Sequence, residues 1–337
     1  MSEVQLHRLK SKDGTRPAAE TGSCSESKIQ SECRLLRYQE FWGVRCGPST
    51  IENIDRVKLN LKNVAICAAD CVTPSLTARA LKKSTDLCDF GDAVLFADSS
   101  IADKCFRTVA IDKLHSKNDY SKFVLKDLVR YVCTPFVLLV QWDGYVLEPK
   151  AWVPEFFEYD LIGAKWHWYK DHMTVGNGGF TLRSQKLLKA VSDERYPFVP
   201  DVPEDHQICR IYRPRLSSEF GIRFAPELLA DKFSYERSRP GAPTFGFHGL
   251  FNMWRHVDDS EMVTLSNDFT PQMIRSIEFT ELLIQYLLMQ KFAVFDHLYI
   301  CLSNICSTDE IQDQLKRFTS DETFLTWFGR ITSRLHG

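Results

Sequence analysis

Three short apolar runs, each closing on an aspartate and separated by stretches with helical spacing, constrain this chain most. They are Asn63-Val-Ala-Ile-Cys-Ala-Ala-Asp70, Ala93-Val-Leu-Phe-Ala97 before Asp98, and Pro135-Phe-Val-Leu-Leu-Val-Gln141 before Asp143. Continuous apolar runs of this length read as strands buried on both faces. Between them, Ser75 to Leu87 and Asp119 to Tyr131 carry apolar residues at helical spacing, the second with Phe123, Leu125, Leu128 and Val129 on one side. Strand alternating with helix predicts an α/β fold with a mostly parallel central sheet and flanking helices. In such sheets ligands collect at the carboxyl ends of the strands, here Asp70, Asp98 and Asp143.

The rest of the chain is organised around that predicted sheet. Residues 1–30 lack periodicity and read as a disordered tail, with one or two short elements around Leu35–Trp42. Thr181 to Val191 reads as a strand turning into a helix, Glu204 to Tyr212 as a helix, and Gly221 to Ala225 as a short strand. From Gln272 the texture is helical, with Ile274, Ile277, Leu282, Leu283, Tyr286 and Leu287 on one face. The expected domains are a tail over 1–30, a main domain over 31–262 and a helical appendage over 263–337, whose helices could pair two copies of the chain.

Composition removes several function classes. The 42 Lys and Arg nearly cancel 44 Asp and Glu, for a formal charge of −2 in 337 residues, which leaves no basic footprint for nucleic acid. No apolar run is long enough to span a bilayer, and Met1 to Ala19 has no apolar signal core. The 11 cysteines are odd in number and contain no CxxC pair, so they read as reduced thiols rather than a disulfide framework or zinc site. These features together predict a cytoplasmic protein.

Four segments could carry chemistry. Gln141-Trp142-Asp143-Gly144 ends the best strand with a carboxylate and a turn, suited to a cation bridging a diphosphate, or to a plain turn cap. Gly176-Asn177-Gly178-Gly179 lets backbone approach a ligand closely and is expected to lead into free helix N–H groups; it is neither a dinucleotide fingerprint nor a phosphate-binding loop with Lys-Ser/Thr. Pro203-Glu204-Asp205-His206 opens a helix with two acids, one of which could serve as a general base. Thr244-Phe-Gly-Phe-His248-Gly249 sets an imidazole among glycines. His167 and His172 are five residues apart and share no helix face for one metal.

Taken in order, QWDG at 141–144, Trp152…Glu155-Phe-Phe-Glu-Tyr-Asp-Leu-Ile-Gly-Ala-Lys-Trp166, GNGGFTLRS at 176–184, PEDHQIC at 203–209, FAPELLADKFSYE at 224–236 and FGFHG at 245–249 resemble one family. It is a glycosyltransferase-like domain family catalogued as a domain of unknown function, and the resemblance spans Val64 to Trp254. The arrangement is also similar to the GT-A class of nucleotide-sugar glycosyltransferases. That likeness implies a GT-A-like (Rossmann-like) sheet and a divalent metal, Mn²⁺ or Mg²⁺, held by Asp143 and His248. It further implies a base at Asp205 or Glu204, transfer with inversion, a UDP-sugar as the expected donor and a glycan or other hydroxyl as acceptor. Asp70, Gln141, Trp142 and Gly144 would line the donor, and Trp166, Asn177, Gly178 and Gly179 the acceptor sugar, with Trp168 offering another flat face. The chain departs from the class at one position: Gln141 stands where the metal motif has its first Asp. Two rival readings remain, a sugar- or nucleotide-binding module without activity, and a glycoside hydrolase using Glu204 or Asp205 with a second acid.

Overall fold

A computed structural model describes residues 57–335; the tail over 1–30 and the elements expected around Leu35–Trp42 lie outside them. Strand β1 (Leu59–Ala69) leads into helix α1 (Pro74–Leu87), β2 (Cys88–Ala97), β3 (Arg107–Ala110), α2 (Lys117–Lys122) and β4 (Phe136–Val140). Strands β5 (Leu161–Ile162) and β6 (Phe180–Ser184) then precede α3 (Gln185–Ser192), α4 (Glu204–His206), α5 (Arg213–Phe220) and α6 (Glu227–Phe233). A small pair, β7 (Ser234–Tyr235) and β8 (Gly246–Phe247), precedes six helices: α7 (Asp259–Ser266), α8 (Pro271–Ile274), α9 (Ile277–Leu288), α10 (Phe292–Ser303), α11 (Thr308–Phe318) and α12 (Glu322–Ser333).

The six-stranded sheet has the order β3-β2-β1-β4-β6-β5. Strands β3, β2, β1 and β4 are parallel neighbours, and β6 alone runs against both β4 and β5. Alternate side chains enter two cores. Val64, Ile66, Leu95, Leu138 and Val140 join one, with Leu81 of α1 and Leu216 of α5. Ala65, Cys67, Val94, Phe96, Val137 and Leu139 join the other, with Phe123, Val124 and Leu128. Burial on both faces is why these strands read as unbroken apolar runs. Burial also pushes the Cys67 thiol above its ordinary range, as expected of an inert core thiol.

Several expectations need correction. The helix expected over Asp119 to Tyr131 keeps regular α geometry only to Lys122, then widens into a π turn at Phe123–Asp127 and tightens at Leu128–Arg130. Glu204 to Tyr212 behaves likewise, with a π turn at Gln207–Ile211. Apolar spacing near 3.6 does not reveal one inserted residue, and such bulges are frequent at functional sites. Gly221 to Ala225 makes a single bridge, Leu161 with Phe224, rather than a strand. The glycine motif does not open a helix: β6 intervenes, and α3 starts at its far end, capped by the Ser184 hydroxyl.

The expected boundary between residues 262 and 263 falls inside α7. That helix is tied to α1 by Glu261, which accepts from Arg79 at 2.8 Å and from Lys83 at 3.1 Å. Among the described residues, no helix is long and apolar enough to cross a membrane.

Candidate active site

The site lies at the carboxyl end of β4, and two strand directions assemble it. Because β6 runs antiparallel to β4, its first residue Phe180 pairs with Val140, the last residue of β4. The glycine loop before β6 therefore meets the segment after β4, and the Gln141 N–H donates to the Gly179 carbonyl at 2.9 Å. Parallel pairing of β7 with β8 aligns Tyr235 with Phe247, so the residues that follow, Glu236 and His248, emerge side by side.

The His248 ring is the hub. Its Nε2 lies 3.3 Å from Asp143 Oδ1 and 3.2 Å from Gln141 Oε1, while Nδ1 lies 3.2 Å from Glu236 Oε1. Asn177 Nδ2 is 3.2 Å from the same Nδ1. Burial opposes charge on the imidazole, but Asp143 and Glu236 on its two sides outweigh it and hold the ring protonated well above its ordinary range. Burial alone would raise the Asp143 carboxyl; the charge of His248 and the Leu250 N–H, donating at 3.0 Å, hold it below the usual range instead. Gln141 also donates to the Tyr120 hydroxyl at 3.2 Å.

Gly179 exists to admit this ring. A Cβ there would stand 2.0 Å from His248 Nε2, inside any tolerable contact. Gly179→Ala is expected to push His248 off Asp143 and Gln141 and to cost about 1–3 kcal/mol, the usual penalty of overpacking. Thermal unfolding checks it, and an unchanged melting temperature would refute it.

Across the same loop, the Gly178 N–H donates to Asp205 Oδ2 at 2.9 Å. Asp205 is half-buried; burial and the neighbouring charge of Glu204 push its carboxyl up to about 7. Glu204, expected as an alternative base, points elsewhere: its Oε1 accepts from Arg183 Nη2 at 2.9 Å, with both side chains buried. A Cβ on Gly178 would meet that oxygen at 2.2 Å.

Four other expected residues are engaged structurally. Asp70 accepts from the N–H groups of Val72 and Thr73 and the hydroxyls of Thr73 and Thr77, so its oxygens serve the turn into α1 rather than face a nucleotide. Trp166 is 3% exposed and lies against Gly176, whose Cβ would fall 2.1 Å from the indole, so it cannot offer a ring face to a sugar. Half-buried Trp142 packs edge-on against Phe269 at 5.4 Å. Gly144 is buried, and a Cβ there would meet the Phe247 carbonyl at 2.8 Å. Tyr120, Arg183 and Glu236 escaped sequence reasoning; Glu236 closes a motif that was read, but nothing local marks it.

A divalent cation fits what is present. Asp143 Oδ1 is buried without a hydrogen bond, and with His248 Nε2 and Gln141 Oε1 it gives mixed oxygen and nitrogen donors converging within 3.3 Å. Glu236 behind Nδ1 is the carboxylate that typically orients a metal-binding histidine. Among the described residues no group of three or more His, Cys, Asp or Glu is arranged to hold a metal; the further oxygen beside His248 Nε2 belongs to the Gln141 amide.

Residues 104–248 match the model of a family described as protein of unknown function (DUF5672). No curated protein matches the chain. Among solved structures, the chain is similar to the galactosyltransferase LgtC in complex with donor and acceptor sugar analogs, at 13% identity over 55% of this chain and 86% of that one, with a TM-score of 0.34. It is similar to the mannosyltransferase PcManGT from Pyrobaculum calidifontis in complex with GDP-Man and Mn²⁺, at 8% identity over 92% of both chains and a TM-score of 0.36. The glycosyltransferase GlyE of Streptococcus pneumoniae TIGR4 gives 11% identity over 57% of this chain and 54% of that one, with a TM-score of 0.35. At scores this low, the architecture rests on the strand order above rather than on the likeness.

Proposed function

We propose that the protein is a nucleotide-sugar-dependent glycosyltransferase that works with inversion. The observation that carries this reading is the convergence of Asp143, Gln141 and His248 at the carboxyl end of β4, with Asp205 across one glycine loop. A strand end of a parallel sheet is where nucleotides bind. Asp143, His248 and Gln141 would hold a divalent cation, which would supply charge to a departing nucleoside diphosphate. Glu236 orients His248, and Tyr120 steadies the Gln141 amide.

Asp205 is the residue placed to take the proton from an acceptor hydroxyl. A carboxyl near pH 7 suits that task, since it is a stronger base than an ordinary aspartate yet ionised for much of the time. Within the Glu204-Asp205 pair only Asp205 is left without an ion pair, and a single base supports direct displacement. The same feature disfavours a glycoside hydrolase, which needs two working carboxyl groups, because Glu204 is spent on Arg183.

One observation favours the runner-up, a binding module without catalysis. Both His248 nitrogens already face carboxylates, and an uncharged amide occupies the third donor position.

A thermal-shift panel of nucleoside diphosphates and UDP- and GDP-sugars, each with Mn²⁺, Mg²⁺ or EDTA, separates the two. A donor at a hundredfold excess over its dissociation constant should add about 2.7 kcal/mol of stability. Asp143→Ala should abolish the metal-dependent part. Turnover that yields a product of inverted anomeric configuration supports the transferase; nucleotide binding without turnover supports the module. No response to any nucleotide would overturn the transferase and leave a sugar-binding module as the alternative.

A further inference from the structure

The backbone of Gly178 is held on both sides. Its N–H donates to Asp205 Oδ2 at 2.9 Å, and its carbonyl accepts from the Thr181 hydroxyl at 3.0 Å, in a bond closed off from solvent. The next carbonyl, that of Gly179, accepts from the Gln141 N–H at 2.9 Å. Asn177, just before Gly178, has a φ of 60°. A residue with a side chain keeps that left-handed conformation only where its surroundings hold it there.

The hold comes from one face of β6, where Thr181 and Arg183 point the same way because they are two residues apart on a strand. Thr181 is 1% exposed, and Arg183 Nη2 donates to its hydroxyl oxygen at 3.4 Å. A hydroxyl that accepts from a guanidinium has its own proton left to give, and Thr181 gives it to the Gly178 carbonyl. The same Nη2 donates to Glu204 Oε1 at 2.9 Å, and that oxygen presses on Gly178, where a Cβ would fall 2.2 Å from it. Thr181 therefore fixes the peptide after Gly178 while Glu204 walls the residue itself, and the N–H of the peptide before it is aimed at Asp205. The other carboxylate oxygen, Oδ1, accepts from the His206 N–H at 2.7 Å, so the candidate base is gripped between its own helix and the glycine loop.

We propose that Thr181, backed by the Arg183–Glu204 pair, is a positioning residue for Asp205: it holds the Gly178 N–H on the carboxylate and thereby fixes where the base stands relative to the strand end that carries Asp143. The catalytic purpose of this brace rests on the transferase reading; the brace itself does not.

The first test needs no ligand. Asn177-Gly178 is the one Asn-Gly step in the chain, so isotope labelling of Asn carbonyl carbons together with Gly nitrogens singles out the Gly178 amide by NMR. Thr181→Val keeps the shape of the buried side chain and removes the hydroxyl, Thr181→Ala removes it in a smaller side chain, and Thr181→Ser keeps it. Hydrogen exchange is followed at every glycine amide of the full chain. In Thr181→Val and Thr181→Ala the Gly178 amide should exchange at least about tenfold faster with the other glycines unchanged, and Thr181→Ser should restore the wild-type rate. An unchanged Gly178 rate would overturn the proposal. So would equal acceleration at every glycine, which marks a general loss of stability.

The second test reads release of nucleoside diphosphate from the UDP- or GDP-sugar that stabilises the wild type, with water in the acceptor's place. Thr181→Val should lower kcat about tenfold or more and leave the donor KM within about twofold, and Thr181→Ser should recover most of the loss. An unchanged kcat beside a faster Gly178 amide would overturn the positioning role. A faster Gly178 amide in a chain that binds no nucleotide sugar would leave the brace standing and remove its catalytic purpose together with the transferase.

Discussion

Arg183→Met should destabilise the protein by about 3–5 kcal/mol, because it strands Glu204 as a buried charge without its partner. Among the described residues Arg183 is the largest fully buried side chain, at 0% exposure, and its Nη2 meets Glu204 Oε1 at 2.9 Å. Among the described residues its Nε and Nη1 have no hydrogen-bond partner, so the guanidinium carries a desolvation cost offset by this ion pair and by a 3.4 Å bond from Nη2 to the Thr181 hydroxyl. Replacing both partners, as Arg183→Met with Glu204→Gln, should recover much of the loss, since no net charge is then left inside. Urea unfolding of the two single variants and the double variant measures the coupling. A loss below about 1 kcal/mol in Arg183→Met, the scale of a surface pair, would mean that the pair is not the anchor of this region.

Asp205→Asn should lower kcat/KM by about 10²–10⁴-fold, the usual worth of a positioned general base. The pH profile gives a sharper check. With its carboxyl pushed up to about 7 by burial and by Glu204, Asp205 is protonated in mildly acidic solution and ionised above neutrality. A base acts when ionised, so the wild-type rate should climb as pH rises toward 7 and level off beyond it, and the Asn variant should lack that climb. The sign for stability is opposite. A carboxyl whose folded pKa lies above its unfolded value, about 3.9, favours folding in its protonated form. That contribution is complete below pH about 4 and is lost as pH rises through about 7. The stability difference between wild type and Asp205→Asn should therefore shift against the wild type over that window. A pH-independent difference would show that the Asp205 carboxyl has an ordinary affinity for protons.

What could be read in advance follows from burial. Strands β1, β2 and β4 announce themselves because both faces are packed, and their positions put Asp143 at a strand end without further help. Strand β3 was invisible because its four residues, Arg107–Ala110, are exposed or half-buried and carry no apolar run. Strand β5 has only Leu161 and Ile162. The two acids of Glu204-Asp205 look equivalent on the page. They part only when one meets Arg183 from β6 and the other the Gly178 N–H. Trp166 read as a platform because aromatic residues crowd its segment, yet Gly176 draws it inward and leaves Trp168 outside. Tyr120 carries no local mark, since its partner Gln141 comes from another strand end.

Sequence alone determined the α/β class, the buried strands and the strand-end carboxylate Asp143, because these depend on side-chain polarity at short range. Tertiary structure decided which groups act together. Gln141 and His248 meet across 107 residues, Asn177 and His248 across 71, and Gly178 and Asp205 across 27. Those meetings depend on β6 running against β4 and on β7 running with β8. Strand direction is set by which backbone ladder and which core a strand completes, and an isolated five-residue run such as Phe180–Ser184 is compatible with either direction.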